Sequence, residues 1–155
     1  MKKFIALVLA ACTVLCMPQR SSLAELTSYI SDGTYVAYVG GYRTSEYAVR
    51  FANGDDSILK ADLRAARLLY EEIGAPLGET VEFAGGGAEL DGLVDVLRFE
   101  LVAGGEIEGC YYGYASRLGS GVMLNGREIN CQIVVGDGRI TVGYPLILGS
   151  YHLNT

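Results

Sequence analysis

Asp137-Gly138 constrains the fold of this chain more than any other feature, because Asp-Gly favours the two-residue type I′ turn whose twist matches the strands it joins. Centring the turn there sets Val135 opposite Ile140, Ile133 opposite Val142 and Cys131 opposite Tyr144, with Ile129 on the same face. A register shifted by one would turn the apolar residues of one strand to water, so turn chemistry and hydrophobic pattern specify the same pairing. The C-terminal third is therefore expected to be β. Pro145, which lacks an N–H, marks a strand end, and Leu146-Ile147-Leu148 follows as a short apolar tail.

Upstream, β-branched and aromatic residues alternate with small or polar ones from Tyr35 to Val39 and from Glu46 to Phe51, which predicts a hairpin around Gly40-Gly41. A helix is predicted from Ser57 to Ile73. Asp55, Asp56 and Ser57 offer capping oxygens, Gly74 suits the residue after the last turn, and Leu59, Leu63, Ala66, Tyr70 and Ile73 recur at helical spacing. Glu25 to Asp32 reads as a short helical or loose lead-in, and Glu79 to Ala84 as a strand ended by Gly85-Gly86-Gly87. Leu90 to Ala103 fits both periods, since Leu90, Leu93, Val94, Leu97 and Leu101 match a helix while Leu97, Phe99 and Leu101 match a strand; the helix is preferred.

The N-terminus has the grammar of an export leader. Met1-Lys2-Lys3 is basic, Phe4 to Met17 is an apolar run of about fourteen residues, and Ser22-Leu23-Ala24 places small residues where a signal peptidase inspects them. The expected division is a signal peptide over 1–24 and a single domain over 25–155. Two alternatives stay open: Leu9-Ala10-Ala11-Cys12 has the form of a lipoprotein box, and the segment could be retained as an anchor, although the run is short for a bilayer core of about 30 Å. Membrane attachment is expected only in those two cases. Removing 1–24 takes three of the 12 basic residues and none of the 18 acidic ones, leaving a net charge of about −9 and Lys60 as the last lysine. Such a surface does not neutralise phosphates, so DNA and RNA are excluded as expected partners.

Cys110 and Cys131 are the two cysteines beyond the leader. A turn centred near Ser120-Gly121 would set them opposite each other on adjacent strands, and in an exported protein this permits a disulfide. The alternative is two small buried side chains on the face of Tyr112, Ile129 and Ile133. His152, the single histidine, lies four residues from the end, a poor place to hold a catalytic base. Glu71-Glu72, Asp55-Asp56 and Glu106/Glu108 read as solvated faces or caps, and the glycine triplets lack phosphate-loop spacing. No catalytic residue, metal ligand or cofactor is expected. The least bland feature is tyrosine: Tyr42, Tyr47, Tyr111 and Tyr114 are candidate binding residues, because exposed Tyr supplies rigid amphipathic contact area. Ordinary strand tyrosines with hydroxyls in water are the plainer alternative.

At Tyr112-Gly113-Tyr114, Ile129-Asn130-Cys131-Gln132-Ile133, and Ile140 through Gly143-Tyr144-Pro145-Leu146-Ile147 to Tyr151, the sequence resembles the end of the YwmB-like family of Firmicutes. That family shows a Gly-Tyr-Ser turn region, an Ile-Asn-x-Gln-(Val/Ile) strand and a final Ile-Gly-x-Pro-(Ile/Leu)-Ile…Tyr strand. The likeness covers the last third of the chain and extends loosely over Tyr35 to Ile73. It implies an exported α+β protein with helices packed on one face of a curved, mainly antiparallel sheet, likened to the TATA-binding protein. It also implies a role in the cell envelope connected with sporulation or wall synthesis, and supplies no catalytic residue. The expectation is thus a secreted or envelope-associated, non-catalytic interaction domain whose partner is an envelope protein or wall component. A small hydrolase using carboxylates is the alternative in another class, and a DNA binder the remote one.

Overall fold

The computed structural model describes residues 21–104 and 108–147. Among these, ten strands and three α-helices follow one another as α1 (Leu23–Leu26), β1 (Thr34–Val39), β2 (Val49–Asn53), β3 (Asp56–Asp62), α2 (Ala66–Ile73), β4 (Gly78–Ala84), α3 (Gly87–Leu97), β5 (Phe99–Gly104), β6 (Cys110–Ala115), β7 (Val122–Leu124), β8 (Arg127–Ile129), β9 (Cys131–Gly136) and β10 (Arg139–Tyr144). Eight strands form one antiparallel sheet in the order β2-β3-β1-β4-β10-β9-β6-β5, and β7 and β8 make a separate two-stranded arm. The class is α+β. No helix among the described residues is long and apolar enough to cross a membrane.

The C-terminal hairpin has the expected register. Val135 faces Ile140 and Ile133 faces Val142, with Asp137 and Gly138 at φ 52° and 71° as a type I′ turn requires. Cross-strand alternation then sorts the sheet into two faces. Tyr35, Ala37, Leu59, Val81, Phe83, Ile133, Ile140 and Val142 point to one side, where they form a single core with Leu23, Leu26, Ala66, Leu69, Leu93 and Leu97 from the three helices. The opposite, open face carries Val36, Thr80, Glu82, Thr141, Val134 and Gln132, all half-buried.

Three expectations are corrected. Tyr35–Val39 and the second strand are not hairpin partners: β3 lies between them and pairs with both. The cause is the turn at Gly54-Asp55, with Gly54 at φ 60°, which folds β2 back on β3 and converts the first half of the predicted helix into a strand. The helix over Ser57–Ile73 accordingly resolves into β3, one 3₁₀ turn over Leu63–Ala65 with Asp62 as its cap, and α2, which ends at Gly74 as anticipated. Ser57, Leu59 and Ala61 serve period two as readily as Leu59 and Leu63 serve a helix, and pairing on both sides decides for the strand. In the same way Leu90–Ala103 holds both elements: α3 stops at Leu97, Arg98 takes a left-handed conformation at φ 51°, and β5 begins at Phe99.

The body of the fold also includes residues before Glu25. Ser22 caps α1, accepting from the Glu25 N–H at 3.1 Å while the Glu25 carboxylate accepts from the Ser22 N–H at 3.2 Å. Leu23 and Ala24 are fully buried.

Candidate functional site

The arm is the element that turns a sheet into a site. Asn125 and Gly126, at φ 50° and 79°, close β7 on β8. Asn130, fully buried, fixes the arm's root to β6: its side-chain oxygen accepts from the Ala115 N–H at 2.7 Å, and its amide donates to the carbonyls of Ala115 at 3.0 Å and Gly119 at 2.6 Å. Gly121 lies so close to Ile129 that a Cβ there would sit 1.8 Å from the Ile129 carbonyl oxygen, so the chain can enter the arm at that point only as glycine.

Between the arm and the open face is a cleft of about 640 Å³. Ala103, Cys110 and Tyr112 on β5 and β6 form its floor, Val122, Met123 and Ile129 one wall, and Leu146 another. Leu146 is placed there because the chain after β10 folds back over the sheet, passing so near Gly143 that a Cβ on that residue would meet the Ile147 nitrogen at 2.2 Å. The Ile147 N–H donates to Gln132 Oε1 at 3.0 Å, and Gln132 Nε2 reaches Cys110 Sγ at 3.3 Å and Tyr112 Oη at 3.4 Å. Gln132 thus ties the returning chain to the cleft floor. Val122 and Met123 are 41% and 69% exposed and give the lip of the cleft an apolar edge.

The four candidate tyrosines do not converge. Tyr42 is exposed near the β2 edge, with the Arg50 guanidinium 4.1 Å from its ring centroid. Tyr47 is half-buried against the core on the same side of the molecule. Tyr111 and Tyr114 lie on β6, at the opposite end of the sheet, and on opposite faces of it. Tyr111 lines a separate groove of about 270 Å³ with Leu90, Val94, Phe99, Leu101 and Ile133, whereas Tyr114 is half-buried beside Glu100 on the open face. The tyrosine on the floor of the larger cleft is Tyr112, and Asn125-Gly126, a hairpin dipeptide as strong as Asp137-Gly138, was the signal in the sequence that could have located the arm above it.

The expected opposition of Cys110 and Cys131 is also corrected. Cys110 pairs with Val134 and Cys131 with Gly113, which puts the two side chains on opposite faces, and both thiols are free. The long connection through Ser120-Gly121 is occupied by the arm, so it sets no direct hairpin register between β6 and β9. Burial pushes the Cys131 thiol up to about 12, which makes it an inert core side chain. His152, Glu106, Leu148 and Tyr151 lie outside the described residues.

One carboxyl is perturbed strongly enough to require an account. Glu79 is 2% exposed and burial holds its pKa above the ordinary 4.5, partly offset by hydrogen bonds from Tyr35 and from the N–H groups of Leu23 and Ala24. Tyr35 Oη donates to Oε1 at 2.7 Å and the Leu23 N–H to Oε2 at 3.2 Å. With both oxygens held by internal donors, Glu79 ties α1 to β4 and β1. Among the described residues no group of three His, Cys, Asp or Glu side chains is placed to hold a metal ion.

No protein family, no curated protein and no solved structure matches this chain.

Proposed function

We propose that this protein is a non-catalytic binding domain that works outside the cytosol, in the cell envelope, and holds an apolar segment of its partner between the β7–β8 arm and the open face of the sheet. The observation that carries this is the cleft itself. It has the volume and mostly apolar lining of ligand sites, a few polar groups at its floor, and exposed Val122 and Met123 at its lip. The basic and apolar run at residues 1–17 and the acidic charge of the remainder support the envelope setting and speak against nucleic acid. The perturbed carboxyl does not favour a hydrolase, because internal donors hold both Glu79 oxygens and, among the described residues, no second carboxylate lines the small cavity it shares with Tyr70 and Tyr144.

Fluorescence titration with an environment-sensitive apolar dye tests the site. Saturable enhancement is expected with the native protein, and a loss of at least tenfold in affinity with Met123→Glu and with Ala103→Glu. Equal affinity in all three proteins would refute the cleft as the binding surface.

A further inference from the structure

The Ser22-Leu23-Ala24 segment carries two incompatible messages. As sequence it has the small residues of a peptidase site; as structure it is interior. Ser22 is 2% exposed, Leu23 0% and Ala24 1%. The Ser21 N–H donates to the Arg117 carbonyl at 2.8 Å, so the segment is fastened to the chain that leads into the arm. Ser22 and Glu25 complete a reciprocal cap, and Leu23 and Ala24 direct their N–H groups at the buried Glu79 carboxylate. Leu23 packs in the same core as Tyr35, Leu69 and Val81.

A cut after Ala24 would remove the cap, a fully buried leucine and two of the three donors to Glu79. The Glu25 ammonium it created could replace one donor, but neither the leucine volume nor the cap. We infer that the mature protein retains Ser21 to Ala24 and that its leader is removed upstream of Ser21, where Ala10, Ala11, Cys12, Thr13 and Cys16 are among the small residues the sequence still offers. This inference rests on the export proposed above. Ser22-Leu23-Ala24 is on this account the first turn of the domain, and its likeness to a processing site is incidental to the residue types a buried helix start requires.

A peptidase meets the chain before it folds, so processing and folding can be read separately. The full-length protein is expressed in a secreting Gram-positive host and its mature N-terminus identified by intact mass. A start at any residue from Cys12 to Ser21 is expected, and a start at Glu25 would overturn the inference. Pulse-labelled Ala24→Leu should convert from precursor to mature form at the native rate, since the cut lies elsewhere; accumulated precursor would overturn it. Unfolding of the full chain gives the third measurement. Leu23→Asp should lower the melting temperature by about 10 °C or more and the milder Ser22→Ala by about 3 °C. If the product stays in the cytosol with Met1 in place, the export proposal fails, and the melting temperatures alone decide whether Ser21–Ala24 belongs to the fold: unchanged values refute it.

Discussion

On the covered face of the sheet, Tyr35, Leu59, Val81, Ile140 and Val142 are fully buried under three helices; on the face directly behind them, Val36, Thr80, Thr141, Val134 and Gln132 are only half-buried, and cover comes from the arm at one end and the returning chain at Pro145–Ile147. The backbone is shared, so the difference lies in what alternation delivers to each side. The covered side receives nearly uninterrupted apolar residues, which favour permanent burial. The open side receives threonine, glutamine, glutamate and tyrosine among its valines, a mixture that leaves a partly wetted surface and a cleft where the arm stands off. One face holds the protein together and the other remains available.

If that division is right, substitutions on the two faces should separate stability from binding. Leu93→Ala, in the middle of the α3 contact with the core, is expected to cost about 2–5 kcal/mol in urea unfolding, the range for a buried leucine that leaves a cavity. A cost under about 1 kcal/mol would mean that α3 is loosely docked and that the covered face is less closed than its burial shows. Asn130→Ala comes next. It strands the Ala115 N–H and the Gly119 carbonyl and leaves the Ala115 carbonyl with the Leu118 N–H alone, so about 2 kcal/mol is expected, and dye affinity at the cleft should fall as well because the arm loses its anchor. Stability lost with affinity intact would show the arm to be held by its strand geometry alone.

The third test concerns pH and the covered face. Glu79 binds its proton more tightly in the fold than in the unfolded chain, because burial disfavours the carboxylate. A raised folded pKa contributes stability below the ordinary glutamate value of 4.5 and loses it as pH rises through the folded value. Glu79→Gln, which can donate to Tyr35 Oη and accept from Leu23, should therefore gain on the native protein between those two values and hold a constant advantage above them. Denaturation midpoints across a pH series check this. A gap that widens as pH falls has the opposite sign and would mean that the three donors outweigh desolvation.

These contrasts also show what the sequence made legible. The β9–β10 register followed from Asp137-Gly138 and alternation because both act within a few residues, whereas the α+β class was what the family resemblance implied. The Ser57–Ala65 stretch was misread because Leu59, Leu63 and Ala66 satisfy helical spacing locally, while strand formation depends on pairing with β1 and β2, which no local pattern reports. The cleft was out of reach for the same reason: its floor, wall and lip come from β5, β6, the arm and Leu146, and only the arm's Asn125-Gly126 announces itself. The tyrosines were correctly suspected of being partly exposed, yet residue type could not say that they divide between the two ends of the sheet.

Thr80 gives the finest test of the open face. It stands beside Gly143 on β10, under the chain that crosses back at Leu146 and Ile147, and its hydroxyl is buried with no hydrogen-bond partner among the described residues. An unmatched buried hydroxyl costs free energy that a methyl group of the same shape does not, so Thr80→Val should stabilise the protein by about 1 kcal/mol. The substitution makes this strip of the open face as apolar as the covered one without altering the cleft floor, and dye affinity should stay at the native value. A loss of stability instead would show that the hydroxyl finds a partner in solution, and that the strip under the returning chain is hydrated like the rest of its face and not sealed like the core behind it.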